Sequence, residues 1–183
     1  MDSGDIAFML VCTALVFLMT PGLAFFYGGL VQKKNVANTM MACAYSIGVA
    51  TILWVTIGYS LSFGSDHLGI IGGFNWVGWQ GVGWEAGPYA DTIPHMLFAT
   101  FQMMFAIITV SLLTGSIVGR MSFKALAMIV PLWLIVVYFP MAHMVWGEGG
   151  FLAGIGSVDF AGGTVVHISS AVSALVLAIA VGP

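Results

Sequence analysis

Charge is nearly missing from this 183-residue chain: four Lys plus Arg and seven Asp plus Glu, 6% of all residues. Soluble domains carry roughly 25%, so a soluble globular fold is excluded. Four basic side chains are too few to neutralise a phosphate backbone, which excludes a nucleic-acid partner. Cysteine is scarce as well. Cys12 and Cys43 both lie inside apolar runs and read as small core residues, not as a disulfide. Enzyme signatures are missing: there is no His-Glu-x-x-His, Gly-x-Ser-x-Gly, Walker loop or Rossmann glycine pattern. His95, His143, Glu148 and His167 fall in no metal-ligand spacing, and His67 sits in a loop, so neither metal nor cofactor is expected. The acidic start, Met1-Asp2-Ser3-Gly4-Asp5, and the length of the first apolar run argue against a signal peptide.

Apolar residues fill the space that charge leaves, at 60% of the chain. They fall in stretches near 20 residues, which suit membrane helices; barrel strands alternate and are about half as long. Five spans are predicted: Ile6 to Leu30, Thr39 to Phe63, His95 to Val118, Phe123 to Trp146 and Gly162 to Val181. The fold class is therefore all-α integral membrane. Pro21-Gly22 is expected to interrupt the first span, and Pro131 and Pro140 the fourth.

The charges separate by side. Lys33 and Lys34 lie between spans one and two, Arg120 and Lys124 between spans three and four. Five crossings put both loops on one face, which the positive-inside rule assigns to the cytoplasm. Asp2, Asp5, Asp66, Glu85, Asp91, Glu148 and Asp159 all fall on the other face. The N-terminus is thus outside. The long external connection, Gly64 to Pro94, carries Trp76, Trp79 and Trp84, and is expected to lie in the headgroup layer. Small residues at four-residue spacing, Ser111, Gly115 and Gly119, then Ser170, Ala174 and Ala178, predict close helix packing.

A few polar groups interrupt the hydrocarbon. Asp159 stands at the entrance to span five. It could attract a cation, or cap the helix by accepting from the N–H groups of Ala161 and Gly162. His167 lies roughly 8 Å further in at about 1.5 Å per residue. A neutral imidazole there can hydrogen-bond a small amine or shuttle a proton; a plain interhelical bond to Ser or Thr fits equally. Phe101 and Phe105 share one face near the outer end of span three, and Trp146 closes span four at that depth. Such rings favour a cation, or simply form core.

These residues also carry a resemblance. Asp159-Phe-Ala-Gly-Gly-Thr-Val-Val-His167, preceded by Ala142-His-Met-Val-Trp146-Gly, resembles the ammonium transporter family (Amt/Mep/Rh). Pro21-Gly-Leu-Ala-Phe-Phe-Tyr-Gly-Gly29, Lys34-Asn35, Gly58-Tyr-Ser60 and Phe101-Gln-Met-Met-Phe105-Ala106 follow in the family's order. The resemblance implies ammonium or ammonia transport by a homotrimer with one pore per subunit, in the plasma membrane. It implies about eleven spans built as two inverted five-helix repeats, of which residues 1–183 would be the first. By that match Trp146 belongs to an outer aromatic recruitment site with Phe101 as a wall. Phe105 matches the outer of two stacked phenylalanines, and His167 the first of two pore histidines. Asp159 matches an acid that organises the mouth and assists recruitment or deprotonation. The second phenylalanine, second histidine and regulatory tail would lie beyond Pro183. A cytoplasmic nitrogen-signalling regulator is the implied protein partner. An ammonium sensor with a C-terminal signalling domain is the alternative on the same scaffold. Two positions depart from the family pattern: Gly119 precedes Arg120 where an acid is usual, and Glu148 stands among small neutral residues.

Overall fold

The computed structural model describes residues 1–182 and contains five helices long and apolar enough to cross a membrane. Span one is Ser3–Leu30, span two Lys33–Phe63, span three His95–Ile117 and span five Gly163–Val181. Span four runs from Phe123 to Trp146. The predicted boundaries agree within a few residues, except that span two starts earlier, with a short 3₁₀ turn at Lys33–Asn35.

Span three is the hub. Its most apolar stretch is 61% buried, against 11% for span one, and it packs against spans one, two and five. Interhelical polar bonds set the register. Trp54 Nε1 donates to the Ala99 carbonyl at 3.0 Å, Tyr27 Oη to Leu112 O at 3.1 Å, and Tyr45 Oη to Ala127 O at 2.9 Å. Trp133 Nε1 donates to Ser173 Oγ at 2.9 Å, tying span four to span five. Each such bond within a membrane contributes about 0.6 kcal/mol. The outward faces of spans one and five are as apolar as the core: Phe8, Leu15, Phe25, Val172, Leu175 and Ile179 are exposed. That is what a hydrocarbon surrounding requires.

Proline acts differently from expectation. Helix one runs unbroken through Pro21. In span four the helix widens into a π-type turn at Leu134–Tyr138, between Pro131 and Pro140. Pro140 has no N–H to give, and the wider turn accommodates its ring. A second π-type turn, Trp54–Gly58, has no proline. There the bare Cα of Gly58 lies against the Phe139 ring, so spans two and four approach closely. Of the predicted small-residue ridges, Ser111 and Ser170 are buried and Gly115 meets the Tyr27 ring. Gly119 is not part of a ridge: it lies past the helix end with φ +72°, a conformation glycine adopts freely.

The two faces of the bundle are fixed by contacts. Asp2 N–H donates to Thr92 O at 2.8 Å, so the N-terminus lies with the long loop. Arg120 donates to Gly182 O at 2.8 Å, so the third connection lies with the end of span five. The long loop is more than an interfacial strap. It holds two short antiparallel pairs: β1 (Asp66–His67) with β2 (Ile71–Gly72), and β3 (Ala86–Gly87) with β4 (Ala90–Pro94). Trp76 stacks on Tyr59 at 5.4 Å and meets the His95 ring edge-on at 4.9 Å. Trp84 is the loop tryptophan left exposed, at 71%. The loop therefore plugs the outer ends of spans two and three, because its rings gain more by packing on Tyr59 and His95 than by lying on the bilayer.

Candidate functional site

A groove of about 640 Å³ opens at the outer end of the bundle. Phe8, Met9 and Cys12 of span one, Phe98, Phe101, Gln102 and Phe105 of span three, and Trp146 of span four line it. Phe63, Tyr89, Asp159, Phe160 and Ala161 complete the wall. Four of the five residues singled out in the sequence thus meet in one place. Phe101 and Phe105 touch edge-to-face at 5.0 Å, and Phe105 meets Trp146 in the same way at 5.9 Å. Phe98, Phe101 and Phe105 stand at i, i+3, i+7, which is one helix face.

Asp159 is a cap, and a fuller one than predicted. Oδ1 accepts from Gly162 and Gly163 N–H at 2.7 and 2.8 Å; Oδ2 accepts from Thr164 and Val165 N–H at 2.8 and 3.0 Å. Ala161, expected as a donor, is not one of these four. The chain turns at Gly162, with φ +95°, and this left-handed residue swings the next three N–H groups, with its own, onto the carboxylate. A carboxylate has about four lone-pair sites, and the backbone fills them. Partial burial pushes the Asp159 carboxyl up, but the four N–H bonds outweigh it and leave its pKa below the ordinary carboxylate value. The group therefore supplies fixed negative charge at the mouth and has no free lone pair to take a proton. The Trp146 indole is tied to the same residue: Nε1–H donates to Asp159 O at 2.9 Å. Its position is set and its π face is left for the groove.

His167 is not in the groove wall. It lies in the π-type turn Gly163–Ile168 that opens span five, its N–H bonded to Gly162 O at 3.0 Å. The residue is exposed, and its ring meets no hydrogen-bond partner among the described residues. The neighbouring Ser169 and Ser170 turn back to carbonyls of their own helix. Gln102 was missed in the sequence. Its Oε1 is buried at the groove and has no partner among the described residues, an open acceptor in an aromatic wall. A glutamine in an apolar helix was the available signal. Cys12 and Cys43 are free thiols.

A second polar cluster was also missed. His143, fully buried, places Nε2 2.9 Å from Asp66 Oδ1 and Nδ1 3.1 Å from the Ser62 carbonyl. Asp66 Oδ1 also accepts from Gly69 N–H at 2.7 Å. The His143 bond is the chief reason the Asp66 carboxyl is held below the ordinary carboxylate value. Desolvation opposes this, and the Gly69 N–H bond reinforces it, with smaller electrostatic contributions from the nearby His143 and His67 rings. A carboxyl whose folded pKa is depressed stabilises the fold above its unfolded value, and that stabilisation is lost as pH falls through the folded pKa. Asp66 and Asp159 both have this sign. The melting temperature of the purified full-length protein is therefore expected to fall once pH drops below about 4, and to fall less in Asp66→Asn. A melting temperature flat down to pH 3 would contradict this.

Residues 7–183 match the model of the Ammonium Transporter Family. The chain is 52% identical to the ammonium transporter of Bacillus subtilis over 182 residues, covering all of this chain and 45% of that protein. It is 44% identical to the ammonium transporter Amt1 of Archaeoglobus fulgidus, covering 44% of it. Among solved structures, Candida albicans Mep2 superposes with a TM-score of 0.90 at 32% identity, over all of this chain and 40% of that one. A structure described as a sensor Amt protein superposes at 0.87 with 27% identity, over 96% of this chain and 43% of that one. The chain thus spans less than half the length of these relatives. With the groove and the membrane bundle accounted for, the match leaves one assignment: the chain belongs to the ammonium transporter family.

Proposed function

We propose that the full-length protein carries ammonium or ammonia across the plasma membrane, as a transporter and not an enzyme. The groove carries this reading: an aromatic wall of Phe101, Phe105 and Trp146, one open acceptor on Gln102, and the fixed charge of Asp159. Ammonium is strongly hydrated and does not enter hydrocarbon uncompensated. Each aromatic face returns about 0.5–2 kcal/mol to a cation, the Gln102 oxygen accepts an N–H, and Asp159 adds a carboxylate held in place by the backbone. Asp159 with all lone pairs filled favours recruitment over direct deprotonation. Past the groove, the unpartnered His167 ring offers the next hydrogen bond to the neutral amine. A homotrimer, and a nitrogen-signalling protein at the cytoplasmic face, fit the family.

The sensor reading is supported by the likeness to the sensor Amt structure at 27% identity. Relatives named transporters reach 52%, and transport is preferred on that ground. The test is ammonium-limited growth. A host lacking its own uptake is expected to grow on low ammonium when it carries the full-length protein, and His167→Ala is expected to lower maximal uptake severalfold, one hydrogen bond being about 0.5–1.5 kcal/mol. No growth from a correctly inserted wild type would defeat transport and leave the sensor.

A further inference from the structure

We propose that Asp66 and His143 are positioning residues for the Trp146 groove: together they seat the glycine turn that follows Trp146 and so fix the indole. The proposal rests on the reading that this groove recruits ammonium. Trp146 is the last residue of span four, one helical turn beyond His143. Its indole is held at the far edge by the bond to Asp159 O. What holds its backbone is the turn Gly147-Glu148-Gly149-Gly150.

That turn is moulded on the pair. Gly147 N–H closes the helix on the His143 carbonyl at 2.9 Å. A Cβ on Gly147 would lie 2.5 Å from His143 Nδ1, and one on Gly149 would lie 2.8 Å from Asp66 Cβ. Gly149 also has φ +86°, which bends the chain around the carboxylate. Gly150 in turn packs against the His143 carbonyl. Only residues without side chains fit over this pair, which accounts for the glycines around Glu148. Asp66 reaches further. It accepts from Gly69 N–H, and Gly69 O accepts from Phe151 N–H at 2.8 Å, so one carboxylate ties the β1–β2 hairpin to both sides of the turn. On the opposite side Glu148 N–H donates to Tyr89 Oη at 3.0 Å, and Tyr89 Oη donates to Phe63 O at 2.8 Å. Tyr89 and Phe63 themselves line the groove.

The pair is also matched to its place. Both groups facing the His143 ring are acceptors, a carboxylate and a carbonyl. A ring bearing protons on both nitrogens donates to both, and a neutral ring donates to one. Removing the Asp66 charge leaves the buried imidazole and the Gly69 N–H, both bonded to Oδ1, with a weaker neutral acceptor, and so loosens the tie to Phe151 through Gly69.

The test is a double-mutant cycle on the full-length protein, with ammonium chloride as the probe in proteoliposomes. Asp66→Asn is expected to raise the half-saturating ammonium concentration about three- to tenfold while maximal flux stays within about twofold. In a Trp146→Leu background the same substitution is expected to change half-saturation by less than about twofold, because the indole it positions is gone. Gly149→Ala, which presses on the Asp66 side chain from the turn, is expected to follow the same pattern. It serves if Asp66→Asn does not insert. An unchanged half-saturation in the wild-type background, or an equal change in both backgrounds, overturns the proposal. A wild type with no ammonium flux overturns the transport reading and this proposal with it; an active wild type with insensitive Asp66 and Gly149 variants overturns this proposal alone.

Discussion

Asp159→Ala is expected to lower ammonium flux by more than about thirtyfold, the equivalent of about 2 kcal/mol, and to destabilise the outer end of span five. The size follows from the number of groups stranded. One carboxylate satisfies the N–H groups of Gly162, Gly163, Thr164 and Val165. Losing an ordinary N-cap costs about 0.5–2 kcal/mol, and here four donors lose their acceptor together. Gly162, with its left-handed φ of +95°, would keep only the bonds from Val166 and His167 N–H to its carbonyl. The π-type turn that carries His167 begins at the next residue, so loss of the cap reaches the imidazole through the backbone. Asp159→Asn is the informative companion. It keeps one acceptor oxygen but turns an amide N–H₂ toward two backbone donors, and is expected to recover only part of the stability. Flux measured beside thermal melts separates the two effects. An Asp159→Ala protein with wild-type flux would show that the cap is dispensable.

Trp146→Ala is expected to raise the half-saturating ammonium concentration by roughly thirtyfold, from a desolvated cation–π contact of about 2 kcal/mol. Maximal flux is expected to change less. The indole is already held by Asp159 O and by Phe105, so it does not have to be ordered when the cation arrives. Trp146→Phe keeps an aromatic face but loses the N–H bond to Asp159, and should fall between. A change confined to maximal flux would place Trp146 in gating and not in recruitment.

Much of this architecture was legible in the sequence, for definite reasons. Five apolar stretches of membrane length, with all cations in two connections, leave one consistent arrangement. The contacts of Asp2 with Thr92 and of Arg120 with Gly182 agree with it. Phe101, Phe105, Trp146 and Asp159 were grouped by the family resemblance; their shared depth alone left the rings open to being plain core. Other features left no periodic trace. The π-type turns at Trp54–Gly58 and Leu134–Tyr138 alter the helix by a single residue, which hydrophobic pattern does not register. Pro21 looked like a break, yet helix one continues through it. The Asp66–His143 pair joins a loop to a residue 77 positions away, and no local spacing marks it. The glycines after Trp146 were visible, but the side chains they fit over were not.

Recruitment of ammonium by the Trp146 groove, for passage across the membrane, is open to experiment. Its most direct test is stopped-flow ammonium flux into proteoliposomes of the full-length protein, wild type beside Trp146→Ala, over a range of ammonium concentrations. Protein-dependent, saturable flux is expected, with half-saturation rising roughly thirtyfold in the variant. Flux equal to that of protein-free liposomes, or identical saturation curves for the two proteins, would contradict it.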